Sequence, residues 1–311
     1  MVSWKAPLLA LARTVAPALA RGNTVVLAPA ETTPLSALRF ADLCHHAGLP
    51  PGVVNVVTGG AEAKAALVTH PRVDKVAVVG PAEVNAAAAA AGLNVPLGGA
   101  VTIVFDDAPF DQAVEGIVDT AFRGVDHGWS GAPLLVQESL HPELVTALRR
   151  RMARLRVGDP LDLHTDVGAV HSAAPRTRLQ QLVTAAQAEH ARPWSPPYDL
   201  PDRGYWFPPT IVTDVSAAHQ IAREDLPGPL LPILTFRTPA EAAELADQLR
   251  PGQSAIIWGE KGSRTLAIAD RLRAEVVWAN SHPRLDPAAP APGVPGRSPA
   301  GGRHGVEAYL A

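Results

Sequence analysis

The sequence predicts an α/β protein whose first part is a partial doubly wound parallel sheet, and three observations carry that expectation. Short β-branched runs, apolar on both faces, alternate with amphipathic helical stretches through the first hundred residues. Glycine and proline punctuate nearly every join between them. The chain has 311 residues, 47% of them hydrophobic and 18% charged, which is enough apolar material for more than one core.

The elements follow in order. Leu8, Leu11, Val15 and Leu19 recur at helical spacing, so a helix is expected near 8–21, stopped by Gly22-Asn23. Arg13 interrupts the apolar run that would otherwise mimic a short signal peptide after Lys5. Thr24–Leu27 is a buried-type strand. Thr33-Pro34 opens a helix over 35–47, with the threonine as cap and the proline in the first turn. A strand over 53–57, a helix over 61–69 and a strand over 75–79 ending at Gly80 complete the first region.

From about Val101 a second α/β region begins. Strands are expected over 103–105, 134–137, 211–212, 231–236, 255–258 and 276–279. Helices are expected over 110–122, 142–156, 177–191, 239–249 and 263–273. The proline-rich stretch 193–209 reads as an irregular loop, and 286–303 as an extended segment of Pro, Ala and Gly. The organisation expected is thus residues 1–100, residues 101–285, and a Pro/Gly-rich segment 286–311 returning to the core.

Composition narrows the function classes. A net charge of −3 argues against a nucleic-acid binder, which shows a basic excess. No apolar run approaches the ~20 residues of a membrane span. The single cysteine, Cys44, forbids an intrachain disulfide and any multi-thiolate metal site, and fits a reducing, cytoplasmic compartment. His45 and His46 are adjacent and leave a helix on different sides, so no metal is expected.

Several stretches, in order along nearly the whole chain, resemble one family, the NAD(P)-dependent aldehyde dehydrogenases. They are Ala16–Glu31, Gly48–Gly59, His70–Gly80, Leu97–Gly99, Leu134–Glu138, Val157–Asp159, Pro209-Thr210, Glu224–Pro229, Val277–Asn280 and Gly302–Tyr309. The resemblance implies a Rossmann-like dinucleotide-binding part followed by an aldehyde-dehydrogenase-like α/β catalytic-type domain. It begins partway into a typical member, so the early cofactor domain and the dimerisation hairpin are expected to have no counterpart before Met1.

The family's reaction needs a cysteine thiolate to attack the aldehyde, a dinucleotide to take the hydride, and a glutamate to activate the hydrolytic water. A thiolate is required because it is nucleophilic near neutral pH, where an alcohol without a base is not. Aligned without gaps from Leu134–Glu138, the nucleophile position falls on Gly128 in Val125-Asp126-His127-Gly128-Trp129-Ser130-Gly131. Ser130 lies two residues away and reads as a turn serine. Pro96 stands before Leu97-Gly98-Gly99, where the family has its general base. Lys5 follows Trp4, where the family has the asparagine that binds the oxyanion. Cys44 reads as a half-buried helix cysteine far from that segment.

For the cofactor, the resemblance points to Pro29 and Glu31 in Ala28-Pro29-Ala30-Glu31, to Gly80, and to Asp225 in Glu224-Asp225-Leu226-Pro227-Gly228-Pro229. Glu31 can accept ribose hydroxyl hydrogen bonds, and Gly80 permits close backbone approach. Against this, Ala28 replaces the family's lysine, and Pro81 lacks the N–H that would meet a phosphate. Glu83 repels one, Asn85 replaces a glycine, and Pro227 replaces a phenylalanine. Gly228-Pro229 reads as a turn.

Three readings stand beside one another. One is a catalytically inactive family member, acting as a scaffold or as a partner in a homo-oligomer or a hetero-oligomer with a catalytic aldehyde dehydrogenase. The second is an active NAD(P)-dependent oxidoreductase acting on aldehydes. The third is a nucleotide-binding module without catalysis.

Overall fold

The computed structural model describes residues 1, 2, 4, 7–80, 92–96, 100–123, 133–249, 254–274, 276–283, 306, 307 and 309, with residues 80 and 92–96 described by backbone alone. The chain divides into two compact units, Met1–Leu97 with Arg284–Ala311, and Gly98–Pro283.

The first unit contains α1 (Pro7–Ala20), β1 (Val25–Leu27), α2 (Leu35–His46), β2 (Val54–Val56), α3 (Ala61–Val68), β3 (Val76–Gly80) and β4 (Gly92–Pro96). β1 pairs with β2 and β3 with β4, both in parallel. Val2 links the two pairs, bridging Pro29 after β1 and Val79 in β3. Its N–H donates to the Ala28 carbonyl at 3.0 Å, and the Val79 N–H donates to the Met1 carbonyl at 3.0 Å. With Val2 counted as the first strand, the spatial order is third, second, first, fourth, fifth, which is the doubly wound arrangement.

The pleat decides which helix each face meets. Val79 and the half-buried Ala77 pack with Leu11 and Val15 of α1, while Val76 and Val78 pack with Val68 of α3. On α1 the buried stripe runs through Leu11 and Val15, at 0% and 1% exposure, but Leu8 is 64% exposed. The apolar periodicity of the sequence therefore overruns the buried face by one turn. Arg13 is buried on this helix as well. Thr33 is not the cap of α2: Pro34 takes that position, its carbonyl accepting from the Ala37 and Leu38 amides at 3.1 Å, and no side chain caps the helix.

The second unit contains β5 (Val101–Val104), α4 (Phe110–Val118) running into a π-helical turn at Asp119–Arg123, and β6 (Leu134–Gln137). Next come α5 (His141–Met152), α6 (Ala173–Ala188), β7 (Arg192–Trp194), β8 (Thr210–Thr213) and α7 (Gln220–Arg223). β9 (Leu230–Phe236), α8 (Pro239–Leu249), β10 (Ser254–Trp258), α9 (Gly262–Arg271) and β11 (Val276–Ala279) complete it. One seven-stranded sheet runs β11-β10-β5-β6-β9-β8-β7, parallel except for β7 against β8. Every residue of β5, β8 and β10 is buried, which is why these strands, Ser254 apart, read as unbroken apolar or β-branched runs.

Two prolines mark where the ladders change. Pro193 lies in β7, inside a stretch that composition alone reads as loop, and it is accommodated because β7 is the sheet edge. Pro232 lies in β9 where pairing passes from β8, at Val212↔Pro232, to β6, at Leu134↔Ile233. A missing N–H at that handover interrupts neither ladder.

Candidate functional site

In an open sheet wound in this order, ligands bind beyond the carboxyl ends of the strands, at the point where strand order reverses. In the first unit the reversal lies between Val2 and β3. Pro29 follows β1 and pairs with Val2, while Gly80 closes β3 and pairs with Pro96, the last residue of β4. Three of the positions picked from the sequence, Pro29, Gly80 and Pro96, therefore stand along one carboxyl edge.

Glu31 lies two residues beyond Pro29, and its carboxylate reaches the start of α3. A Cβ added at Gly60, the residue capping that helix, would meet Glu31 Oε1 at 3.2 Å. A carboxylate at this place complements the positive end of the helix dipole. Nearby in sequence, the Thr33 hydroxyl is buried with no hydrogen-bond partner. Among the described residues, the other positions picked from the sequence along this edge carry no ionisable side chain. Ala28 is 2% exposed and carries a methyl group where the resemblance expects an ammonium. Proline and glycine at 29, 80 and 96 hold no proton to give or take. Glu31 is the one ionisable group among Ala28, Pro29, Glu31, Gly80 and Pro96.

Asp225 belongs to the second unit and is exposed. Its neighbour Glu224 forms an ion pair with Arg178 and accepts from Gln220 Nε2 at 2.6 Å. Gly228 is required by packing rather than by the turn expected from Gly-Pro. A Cβ there would lie 2.6 Å from Leu179 Cδ1 and 3.1 Å from Val170 Cγ1, both on buried residues, and no positive φ is involved. Lys5, Gly128, Ser130, Pro81, Glu83 and Asn85 lie outside the described residues.

Cys44 is a free thiol on α2, half-buried, in the first unit. Among the described residues no group of three or more His, Cys, Asp or Glu side chains is placed to hold a metal. Also among the described residues, no helix is long and apolar enough to cross a membrane.

One polar set escaped the sequence reading. At the carboxyl ends of β5, β6 and β10, Asp107 pairs with Arg264, whose guanidinium lies 4.0 Å above the Phe105 ring. Gln137 donates to Asp106 at 2.8 Å, and Asn280 clasps the Gly259 backbone through both its amide atoms at 2.9 and 3.0 Å. These bonds tie strand ends together. The sequence signal was available: two acidic residues immediately after a buried apolar run.

Comparison with known proteins completes the picture. The family model for the aldehyde dehydrogenase family matches residues 1–311. Betaine aldehyde dehydrogenase 2 of Rhizobium meliloti (strain 1021) is 36% identical over 97% of this chain and 64% of its own length. The hydroxyisobutyraldehyde dehydrogenase of Mycolicibacterium austroafricanum is 36% identical over 90% of this chain and 58% of its own length. Among solved structures, an NAD-dependent aldehyde dehydrogenase from Sinorhizobium meliloti superposes with a TM-score of 0.93 at 33% identity, over 99% of this chain and 64% of that one. A betaine aldehyde dehydrogenase from Staphylococcus aureus, in complex with NAD+, superposes with a TM-score of 0.92 at 28% identity, over 100% of this chain and 64% of that one. The chain thus spans less than two thirds of the length of these relatives. With a family model matched from end to end, the chain belongs to the aldehyde dehydrogenase family.

Proposed function

We propose that this chain does not itself oxidise aldehydes and serves as a scaffold or partner module for a catalytic aldehyde dehydrogenase. One observation carries the reading: the chain holds a single sulfhydryl, Cys44, and it lies half-buried on α2 in the unit that carries the cofactor-type sheet. The resemblance puts Gly128 at the nucleophile position and Pro96 at that of the base. Without a thiolate no thiohemiacetal forms, and without the hemiacetal no hydride leaves for a nicotinamide. By contrast, solved structures of the Staphylococcus aureus relative are described with a BME-modified cysteine.

NAD or NADP is the cofactor that the family implies, and the described edge does not fit a tight grip on one. Ala28 offers no donor, and the one carboxylate, Glu31, already lies against the α3 N-terminus. The strand order and Glu31 favour a second reading, a nucleotide-binding module without catalysis, for which a saturable calorimetric titration with NAD or NADP below millimolar would be needed. The proposal expects no such saturation.

Purified chain incubated with betaine aldehyde and with short aliphatic aldehydes is expected to produce no NADH or NADPH. Turnover abolished by a thiol reagent would overturn the proposal. Light scattering after size exclusion, with the chain mixed with a catalytic aldehyde dehydrogenase from the same genome, is expected to show a joint complex. A chain that elutes alone and unchanged would count against the partner role.

A further inference from the structure

Helix α2 has an inner and an outer face of different character. On the inner side Ala37 is buried and Phe40 half-buried in the cluster that holds Leu11 and Val15 of α1. Ala41 and Cys44, also half-buried, share that side by the 3.6-residue repeat. The opposite side carries Leu35, Leu38, Arg39, Asp42, Leu43 and His46, a stripe about 140° wide. Leu35, Leu38 and Leu43 are 76%, 42% and 50% exposed, and the three ionisable side chains of the stripe also reach solvent. The outer face of a surface helix is ordinarily polar, yet half the positions here are leucine.

The order of residues along the stripe points to its partner. Turned end for end about a point between Phe40 and Ala41, the stripe falls on itself: Leu38 on Leu43, Arg39 on Asp42, Leu35 on His46. Apolar meets apolar at the centre, and cation meets anion beside it. A helix turned end for end is what a second copy presents across a two-fold axis, where every contact is made twice. With the helices antiparallel and their axes about 8–10 Å apart, Leu38 meets the partner's Leu43 and Arg39 meets the partner's Asp42. Within one chain Arg39 already pairs with Asp42 along the helix. Such an exposed pair contributes little on its own. Across the axis the same charges form two pairs, each beside leucines that keep water from one side. Antiparallel packing also sets the two helix dipoles head to tail.

We propose that the outer face of α2 is a self-association surface, on which a second copy of this chain docks its own α2 antiparallel across a two-fold axis between Phe40 and Ala41. A uniformly apolar or single-sign face would suit an unrelated partner equally well. A face that complements itself in reverse suits a copy. Twelve residues of helix are ~18 Å long, so one stripe covers well under the ~800 Å² per partner of a standard stable interface. The dimer is accordingly weak and concentration-dependent, with a dissociation constant on the order of tens of micromolar or more. The inference concerns the chain by itself. It stands whether or not the chain turns over aldehydes or joins a catalytic relative.

The test is sedimentation equilibrium of the whole chain from micromolar to sub-millimolar concentration, where a monomer–dimer equilibrium is expected. Arg39→Glu leaves the centre of the stripe with two anions, and Asp42→Lys leaves it with two cations. In either variant alone every pair across the axis is between like charges, so each is expected to dimerise at least about tenfold more weakly. An equimolar mixture of the two variants restores both pairs with their signs exchanged. It is expected to associate at least as tightly as the parent chain, a recovery that misfolded variants would not give. Both variants are expected to keep the parent's circular dichroism, since the substitutions lie in solvent. A parent chain that stays monomeric over the whole range overturns the proposal, whatever other protein α2 binds. Dimerisation unchanged in both variants puts the contact on another surface and overturns it too. So does a mixture of the two folded variants that stays as weak as either alone, because the antiparallel register requires the rescue.

Discussion

A methyl group at Gly116 would stand 2.4 Å from Cζ2 of Trp258, a ring only 3% exposed at the end of β10. In an open helix, alanine in place of glycine adds up to ~1 kcal/mol of stability. Here overpacking against a buried indole dominates, and Gly116→Ala is expected to cost about 1–3 kcal/mol in urea unfolding. Trp258→Phe, which shortens the ring, is expected to restore part of that loss in the double variant. The glycine that matters at Gly228 works the same way, through what its Cβ would strike. Such contacts between residues far apart in sequence leave no trace in local pattern, which is why Gly-Pro at 228–229 reads as a turn when the binding constraint is Leu179.

Between elements, Asp166 fastens the π-helical turn after α4 to the loop after α5. Arg123 of the turn pairs with its carboxylate, and the Arg156 N–H donates to it at 3.0 Å. Burial pushes this carboxyl up, but the Arg156 amide and the Arg123 guanidinium outweigh burial and hold it below the ordinary carboxylate range. A carboxyl whose folded-state value is lowered binds its proton later than the unfolded chain does. Its contribution is therefore present above the unfolded value and is lost as pH falls through the folded one. Acid titration followed by circular dichroism is expected to show Asp166→Asn less stable at neutral pH and less sensitive to acid than the parent. An unchanged acid limb would remove Asp166 from this role.

Legibility varied element by element for physical reasons. β5, β6, β9 and β10 were visible because burial on both faces demands unbroken apolar runs. β4 was not: Gly92, Asn94 and Pro96 all disfavour strands, and the element exists by its ladder to β3. Val2 takes part through isolated bridges, and a single described residue carries no period at all. The carboxyl-edge positions Pro29 and Gly80 were legible through the family resemblance, which picked both out. The Glu31 contact with Gly60 was not, since no local pattern announces it.

At the scale of the whole molecule, the two units differ in how much core holds them. The second is built on a large cluster running from Val101 to Leu272, while the first rests on a small one around Leu11, Val15 and Val79 and on the pair Val76 and Val78. Unfolding is accordingly expected in two steps, the first unit melting first. Trp4 is the only tryptophan of the first unit and five others lie in the second, so tryptophan fluorescence should lag behind far-ultraviolet circular dichroism on heating. Coincident curves from both probes would rule the separation out. The thread of Met1 and Val2 between β1 and β3 has a practical side. Residues joined ahead of Met1 enter the sheet beside Ala77, whose carbonyl accepts from the Met1 amine, so a tag or fusion partner placed there is expected to shift the melting of the first unit.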